Sequence, residues 1–493
     1  MSGHRLKIHF TFNVVGKIIP VAIALVTVPL YISYIGAARY GVLSIVWLLV
    51  GYFGFLDFGL SRASTNALAK LGHATKEERS RVLITSLYLN LGLGLLGGII
   101  LYFAGLTLLH HMVSLSDVTN AELESAFPWI AYMIPIALLG GVARGAIQSR
   151  ERFFDLNVLD LINFSLGQIL PIVCAVTISP SLTVVIPATF VARALAVGLN
   201  LGWVVRLEKL STIMIFDLTR FKELLGFGVW VTVTNVIGPI LASMDRLLVG
   251  SVLGAVAVAH YAVPMNLVTR GQVLSEALAT TLFPLFSRLK LGEARLLAEK
   301  AVISLSYGFG AMCGPAIIIG GPFLTLWLGG EFASHATPVI QLLLVGAWFN
   351  GIAYIPYSFL QGQGRPDLVA KLHLLEFPPF IVALYFLLYR FGLVGAALAW
   401  CGRVTIDSVF LLCLSRFSLY RLLVAIPALI LILISYTITQ ISDISIFLSG
   451  LLAGLILLTF VGCGILFDTT AREMFTTVSA RAVETVRRGL IER

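Results

Sequence analysis

The sequence predicts an all-α, polytopic membrane protein with about 14 transmembrane helices, and three observations lead to that fold class. Apolar residues make up 58% of the 493 residues and charged residues only 12%, whereas soluble domains carry about 25% charged residues. The apolar residues are grouped in long stretches, each near the roughly 20 residues that a spanning helix needs. Lysines and arginines cluster in every second gap between those stretches, which is typical of membrane proteins.

The predicted spans follow one another along almost the whole chain and leave no room for a soluble catalytic domain. We therefore expect neither an enzyme nor catalytic residues. The five cysteines fall within the spans at spacings unlike those of metal or redox motifs, so no metal site and no cofactor are expected. The predicted spans cover residues 10–35, 40–60, 82–109, 126–149, 157–179, 182–205, 224–250, 254–284, 301–328, 337–361, 368–389, 393–414, 420–440 and 444–467.

The basic residues predict the orientation of the chain. Of the 34 lysines and arginines, 28 lie in or beside alternate gaps and the two termini, and only Arg39 and Arg390 fall in the other gaps. The positive-inside rule then places both termini in the cytoplasm, with an even number of spans. The net charge of +9 indicates contact with anionic lipid rather than nucleic acid. Helical spacing of apolar residues also predicts surface helices in the tail, residues 468–493, and between Arg288 and Lys300.

The chain also contains an internal repeat. Asn13-Val14-Val15-Gly16 is echoed by Asn235-Val236-Ile237-Gly238, Tyr40 by Tyr261, and Arg193 by Arg403, each time at a similar offset along the chain. The repeat predicts two parallel, pseudo-symmetric six-helix bundles at 1–210 and 220–420, followed by two extra helices at 421–467 and the basic tail at 468–493. Parallel repeats of this kind support alternating access to a site between two bundles.

Four basic residues interrupt the predicted spans. A charge near the bilayer centre costs about 2.5–3.5 kcal/mol, so it normally faces a partner or a wet cavity. Lys17 shares a helix face with Asn13, and Arg270 follows Asn266 by one turn. The candidate lining of a cationic cavity for an anionic substrate therefore consists of Lys17, Asn13, Arg270, Asn266 and Arg246. The fourth basic residue, Arg193, lies near a span end, where an ion pair between helices is the favoured interpretation.

Acidic residues within the spans admit two interpretations. Asp57, Glu276 and Asp245 are candidates for binding a coupling cation, either H+ or Na+, and are equally suited to forming ion pairs between helices. Asp57 and Glu276 follow the paired tyrosines Tyr40 and Tyr261 at similar spacings, so they are candidate repeat equivalents. Glu376, Arg403 and Asp407 complete the charged set, and spacing alone does not separate ion binding from helix locking.

Three segments resemble those of bacterial polysaccharide-unit flippases, which belong to the superfamily of multidrug, oligosaccharidyl-lipid and polysaccharide exporters. The resemblance covers nearly the whole chain, including its span count and duplication. It is carried by Tyr40-Gly41-Val42-Leu43 leading to Phe55-Leu56-Asp57-Phe58-Gly59-Leu60, by Asp245-Arg246-Leu247-Leu248-Val249-Gly250, and by Gln361-Gly362-Gln363-Gly364-Arg365.

The resemblance implies a flippase that moves an oligosaccharide repeat unit, linked to undecaprenyl pyrophosphate, across the inner membrane for surface polysaccharide synthesis. It implies a lipid-linked substrate, membrane lipid and a coupling cation as partners, with a polysaccharide polymerase and a chain-length regulator working beside it. Two alternatives remain open. A multidrug exporter would be expected to have acidic or neutral cavity residues and twelve spans, whereas a peptidoglycan-precursor flippase would share the fourteen spans and the cationic cavity.

Overall fold

The computed structural model describes residues 3–52, 60–71, 75–105, 117–150, 152–208, 244–440, 445–468 and 472, and within the first helix it describes side chains from residue 19. These ranges contain helices and turns without a strand, which confirms the all-α fold class. Ten of the described helices are long and apolar enough to cross a membrane. The chain forms two compact units, Met1–Ala262 and Val263–Arg493. The predicted bundle boundary at 210–220 lies outside the described residues.

Eight α-helices begin in the described part of the first unit. They are α1 (Gly3–Tyr52), α2 (Leu60–Leu71), α3 (Lys76–Ile100), α4 (Asp117–Ser149), α5 (Phe153–Thr177), α6 (Leu182–Glu208) and α7 (Met244–Leu253), and α8 (Ala255–Gly271) continues from the first unit into the second. The remaining helices are α9 (Val273–Arg288), α10 (Leu291–Leu328), α11 (Gly330–Gly362), α12 (Pro366–Leu414), α13 (Ile426–Gln440) and α14 (Ile446–Phe467).

Two of the long helices are each two helices joined at a glycine. The backbone of Gly36 in α1 has φ 82° and that of Gly392 in α12 has φ 61°. Side chains with a Cβ rarely adopt this left-handed region, which glycine enters without steric cost. The breaks fall where the sequence predicted a change of span, between 10–35 and 40–60 and between 368–389 and 393–414.

The predicted surface helix between Arg288 and Lys300 is wrong. Leu291 begins α10, which runs on without interruption into the predicted span at 301–328. Ala294 and Ala298 are fully buried and Glu299 is 2% exposed, so the apolar face of this segment packs against protein. Amphipathic spacing is the same for a helix on a lipid surface and for a helix end in a bundle. The predicted surface helix at 468–493 lies outside the described residues, apart from Asp468 and Arg472.

Small residues let helices approach closely in the same way in both units. In the first unit, a Cβ on Gly141 of α4 would lie 2.7 Å from Ser61 Oγ of α2. In the second, a Cβ on Gly351 of α11 would lie 2.8 Å from Ser275 Oγ of α9. Gly351 follows Gly141, and Ser275 follows Ser61, at nearly the offset that separates Arg403 from Arg193. Glycine–serine contacts therefore occur at similarly spaced positions in the two units, while the two-bundle repeat stays a prediction.

Ion pairs recur at corresponding positions in the two units, fully buried in the first and half-exposed in the second. Arg79 Nε at the start of α3 lies 2.6 Å from Glu208 Oε2 at the end of α6, and the two side chains are 2% and 1% exposed. In the second unit, Glu299 near the start of α10 accepts a 2.8 Å hydrogen bond from Arg421 Nη1. Glu299 stands at the repeat offset from Arg79, and Arg421 stands at the repeat offset from Glu208, so the pair recurs with its charges reversed.

The C-terminal helix α14 packs on α10 of the same unit. Its Phe460 is fully buried, and a Cβ on Gly310 or Gly314 of α10 would lie 2.5 or 2.6 Å from the Phe460 ring. The two glycines are one helical turn apart and therefore form one notch on α10, because residues at this spacing share a helix face. Tyr307 of α10 also donates a 2.6 Å hydrogen bond from its hydroxyl to the carbonyl oxygen of Val424, which precedes α13.

Candidate functional site

The predicted span at 254–284 is broken near its middle. It consists of α8, which ends at Gly271, and α9, which begins at Val273. Between them the backbone of Gln272 has φ −71° and ψ −5°, and its N–H donates to the Thr269 carbonyl at 3.3 Å. Broken helices within membrane proteins are tolerated where they are packed against protein or line a cavity, and their half-helix ends often bind substrates or ions. The sequence analysis did not predict this break, although Gly271 lies beside it.

Charged residues flank the break in the order that the helix dipoles favour. Arg270 lies in the last turn of α8, where the dipole is negative, and Glu276 lies in the first turn of α9, where it is positive. Arg270 is half-buried and Glu276 is exposed, and Asn266 is half-buried one turn before Arg270. The structure therefore brings three of the predicted site residues to one break.

Neutral polar side chains complete this site, and the sequence analysis did not single them out. Asn350 Nδ2 of α11 donates a 2.9 Å hydrogen bond to Gln272 Oε1. Gln272 is only 4% exposed, and its Nε2 is buried without a hydrogen-bond partner among the described residues. The buried hydroxyl of Ser275 likewise has no partner there. Buried polar groups are normally satisfied, so these two unsatisfied groups beside the break call for an explanation such as a bound water or ligand.

An apolar groove of about 240 Å³ adjoins the break at Gly271. Leu267, Gly271 and Phe309 belong to its lining, together with Met312 and Phe323 of α10. The groove offers hydrocarbon contacts and no charge. The described lining of the groove thus contains none of the polar residues Arg270, Gln272 and Asn350.

Asp245 and Arg246 lie in the first turn of α7, in the first unit. Asp245 is fully buried, and its Oδ2 accepts a 2.8 Å hydrogen bond from the Tyr261 hydroxyl of α8. Its Oδ1 accepts the backbone N–H of Arg246 at 2.8 Å. Asp245 therefore connects α7 to α8 and accepts a hydrogen bond from a backbone N–H at the start of α7. The next residue, Arg246, is half-buried on the same turn.

The side chains of Asn13 and Lys17, and the whole of Asp57, lie outside what the structure describes. Later residues on the predicted face of α1 are described, and they pack against protein. Thr27 Oγ1 donates to Gln168 Oε1 of α5 at 3.1 Å, and the Tyr31 hydroxyl donates to the Gln168 carbonyl at 2.7 Å. This part of the polar face is used for contact between α1 and α5.

Comparison with known proteins now assigns the family. A model described as "Polysaccharide biosynthesis protein" matches residues 8–290, more than half of the chain. The chain belongs to this family. A protein of Shigella flexneri named "Putative O-antigen transporter" is 28% identical over 405 residues, which cover 81% of this chain and 95% of that protein. The teichuronic acid biosynthesis protein TuaB of Bacillus subtilis is 22% identical over 318 residues, covering 64% of this chain and 62% of TuaB.

Solved structures share the fold. The lipid II flippase MurJ in an inward closed conformation superposes with a TM-score of 0.73 at 14% identity, covering 93% of this chain and 98% of MurJ. An inward-facing multidrug transporter of the MATE family superposes with a TM-score of 0.66 at 14% identity, covering 81% of this chain and 97% of that one. At this level of identity the likeness confirms a membrane fold common to flippases and exporters.

Proposed function

We propose that this family member is a flippase that moves an oligosaccharide repeat unit, linked to undecaprenyl pyrophosphate, across the bacterial inner membrane. The observation that carries the proposal is the position of the cationic Arg270 side chain at the break in a predicted span. The chain belongs to a polysaccharide biosynthesis family, which suits a cationic site to an anionic glycan carrier. A relative that matches most of the chain bears the name of an O-antigen transporter, which supports a carbohydrate cargo. Both termini are proposed to lie in the cytoplasm, as the distribution of basic residues predicts.

The residues at the break suit a pyrophosphate head group. The planar guanidinium of Arg270 can donate two parallel hydrogen bonds to phosphate oxygens, which an ammonium group does not match. Gln272 Nε2 adds a buried donor without a protein partner in the described part of the chain. The N-terminal end of α9 contributes the positive end of a helix dipole. The lipid tail would remain in hydrocarbon while the charged head is held here.

The break also supplies a means of movement. Two half-helices joined at one residue can change their mutual angle with little cost in backbone hydrogen bonds, which suits alternating access around a fixed site. Lys17, Arg246 and Asn13 are proposed to extend the cationic cavity, and Asp57, Glu276 and Asp245 remain candidates for a coupling H+ or Na+. A polymerase and a chain-length regulator are the proposed partners that consume the translocated unit.

Replacement of Arg270 tests the proposal. In a host that lacks its own repeat-unit flippase, the Arg270→Ala variant should give about 10- to 100-fold less surface polysaccharide than the unaltered protein. That range corresponds to the roughly 1.5–3 kcal/mol of a hydrogen bond to a charged group. Arg270→Lys should restore only part of the activity, because lysine keeps the positive charge but lacks the planar guanidinium that donates two parallel hydrogen bonds.

Arg288→Ala is the matched control, because Arg288 is exposed at the far end of α9. This variant should complement like the unaltered protein. Membrane levels of all variants are compared by immunoblot. Full complementation by Arg270→Ala at an equal membrane level would contradict a cationic site at the break.

The fold shared with a lipid II flippase favours a peptidoglycan precursor as the second candidate cargo. Rescue of a strain depleted of its lipid II flippase, without restoration of surface polysaccharide, would select that candidate. The fold also occurs in multidrug exporters. Raised resistance to cationic drugs, with neither glycan phenotype restored, would select a drug exporter and overturn the flippase proposal.

A further inference from the structure

The helix α12 folds back on itself and brings four ionisable side chains together. His373 and Glu376 lie before the break at Gly392, and Arg403 and Asp407 lie after it. In an unbroken helix, these two groups would be about 40 Å distant at roughly 1.5 Å per residue. In the structure, Arg403 Nη1 lies 4.0 Å from Glu376 Oε2 and His373 Nε2 lies 3.6 Å from Asp407 Oδ1. The two limbs of α12 are therefore antiparallel, and they share one charged cluster.

The carboxylates of this cluster are buried and incompletely satisfied. Glu376 is 7% exposed and Asp407 is 6% exposed. Glu376 Oε1 and Oε2 and Asp407 Oδ1 accept no hydrogen bond from a donor group among the described residues, and the two carboxyl groups lie close enough to interact with each other. Arg403 lies 5.3 Å from the centroid of the Phe380 ring, so part of its charge faces an aromatic surface rather than an anion.

The cluster holds one permanent positive charge and two acidic groups. With both carboxyl groups ionised and His373 neutral, its net charge is −1 inside a predicted pair of spans. An uncompensated buried charge is expensive, and two like charges in one site disfavour their joint ionisation. Binding of a single proton makes the cluster neutral, and release of that proton restores the negative charge.

Among the described residues, the neighbouring groups are an aromatic ring and an exposed ion pair. From α11, the ring of Tyr357 stacks on His373 with centroids 6.2 Å apart. On α12 itself, Lys371 and Asp367 pair with each other at 3.6 Å, close to the start of the helix, and both are exposed. His373 is 25% exposed, so it links the buried carboxylates to the surface of the bundle.

A simple ion pair between the limbs does not account for the arrangement. One carboxylate would suffice for one arginine, yet two are buried here. The repeat gives an internal comparison, since Val197 precedes Asp407 by the same offset at which Arg193 precedes Arg403. The corresponding place in the first half keeps the arginine and has an apolar residue in place of the aspartate. The second carboxyl group is thus a specific addition to the second half.

We propose that Glu376, Asp407, Arg403 and His373 form a proton-binding site, in which the two carboxyl groups share one exchangeable proton that enters and leaves through His373. The site cycles between a neutral protonated form and a form with one negative charge. This inference goes beyond the proposed transport function, and its test measures protonation rather than transport. Failure of either proposal therefore leaves the other intact.

Infrared difference spectroscopy of the full-length protein in lipid nanodiscs tests the site. The spectra are recorded between about pH 5 and 8, the interval in which a histidine can exchange protons. The unaltered protein should show a carboxylic acid C=O band, equivalent to one proton, that disappears reversibly as the pH is raised. Glu376→Gln and Asp407→Asn should each abolish that band completely, because the remaining carboxylate stays ionised beside Arg403.

Two further variants make the assignment specific. Glu331→Gln, at an exposed residue in the first turn of α11, should leave the band unchanged. His373→Gln should keep the band and slow its response to a pH jump. Both amide variants resemble the protonated state in shape and charge, so either of them alone carries the test if the other is not produced.

The absence of a titrating band in the unaltered protein would show a permanently ionised structural cluster and overturn the proposal. A band that survives in both Glu376→Gln and Asp407→Asn would do the same. Loss of the band in His373→Gln, with retention in the two amide variants, would place the proton on other groups and also reject the assignment.

Discussion

Glu208 receives two arginines at the end of α6 and is 3% exposed. Arg79 donates to its two oxygens at 2.6 and 2.7 Å, and Arg150 donates to the same two oxygens at 3.0 and 2.8 Å. The Glu208 carboxylate raises the pKa of the Arg150 guanidinium, which lies just beyond the end of α4. Both arginines were counted in the sequence among the residues that orient the chain, and the structure shows that they also lock three helices together.

The Glu208→Gln variant should be strongly destabilised, because it leaves Arg79 buried beside a neutral amide. Removal of one partner from a buried ion pair costs about 3–5 kcal/mol. The measurement is the midpoint of thermal unfolding of the purified protein in detergent. Asp367→Asn serves as the control, since its pair with Arg365 is exposed, and it should leave the midpoint unchanged. Equal midpoints for Glu208→Gln and the unaltered protein would refute the locking role.

The candidate site could be predicted only in part from individual residues. Arg270 and Glu276 stood out because a charge inside a span violates the charge pattern. Gln272 and Asn350 are neutral, and such amides do not disturb that pattern, so the hydrogen bond between them was missed. Asp245 was a candidate for ion binding, whereas its contact with Tyr261 joins two helices, and spacing along the chain does not indicate such a partner.

At the scale of the element, α14 is positioned by one aromatic ring in a glycine notch. Without a hydrophobic driving force between helices in lipid, close packing against small residues supplies much of the association. Phe460 fills the space that a side chain on Gly310 or Gly314 would need. This contact thereby attaches α14 to α10 of the second unit.

The notch predicts a compensating pair of substitutions. Gly314→Ala should lower thermal stability by about 1–3 kcal/mol, since a methyl group would overlap the Phe460 ring. Phe460→Leu in the same chain should recover part of that loss, giving a favourable coupling energy in a double-mutant cycle. Gly462→Ala is the control, because nothing lies within 4 Å of its added Cβ. Strictly additive effects of the two substitutions would argue against a direct contact.

The helices themselves were largely predictable, because length and apolar composition determine which segments can span a bilayer. The points at which these helices break or begin were harder to predict. The break at Gln272 is accompanied by a hydrogen bond to α11, which is a tertiary contact, and the run of α10 back to Leu291 follows from burial of a face that looked suited to lipid. Local sequence specifies an amphipathic face, and only the packed bundle specifies what that face contacts.

At the scale of the whole molecule, the sparsely charged side of the predicted topology carries an arginine that the structure shows to be neutralised. Arg39 Nη2 lies 2.6 Å from Glu122 Oε1, and Glu122 Oε2 accepts the backbone N–H of Leu182 at 3.0 Å. One carboxylate thus joins α1, α4 and the start of α6. A paired arginine of this kind is compatible with the predicted outer surface.

The predicted orientation can be measured with single cysteines. A Glu331→Cys variant, at the start of α11, should react with a membrane-impermeant maleimide in intact cells. A Lys290→Cys variant, just before α10, should react only after the cells are opened, because the positive-inside rule places that gap in the cytoplasm. The unaltered protein reports background from its own cysteines. The reverse labelling pattern would invert the proposed topology.

The reversed ion pairs have a consequence for how such a duplicated chain assembles. Two similar halves emerge from the ribosome one after the other, and a helix of one could take the place of its counterpart in the other. In such an exchange Arg79 would face Arg421 and Glu299 would face Glu208, so that like charges would meet where each half requires opposite ones. Like-charge contacts of this kind cost several kcal/mol. The change of sign between the repeats thus disfavours the exchanged arrangement relative to the native one.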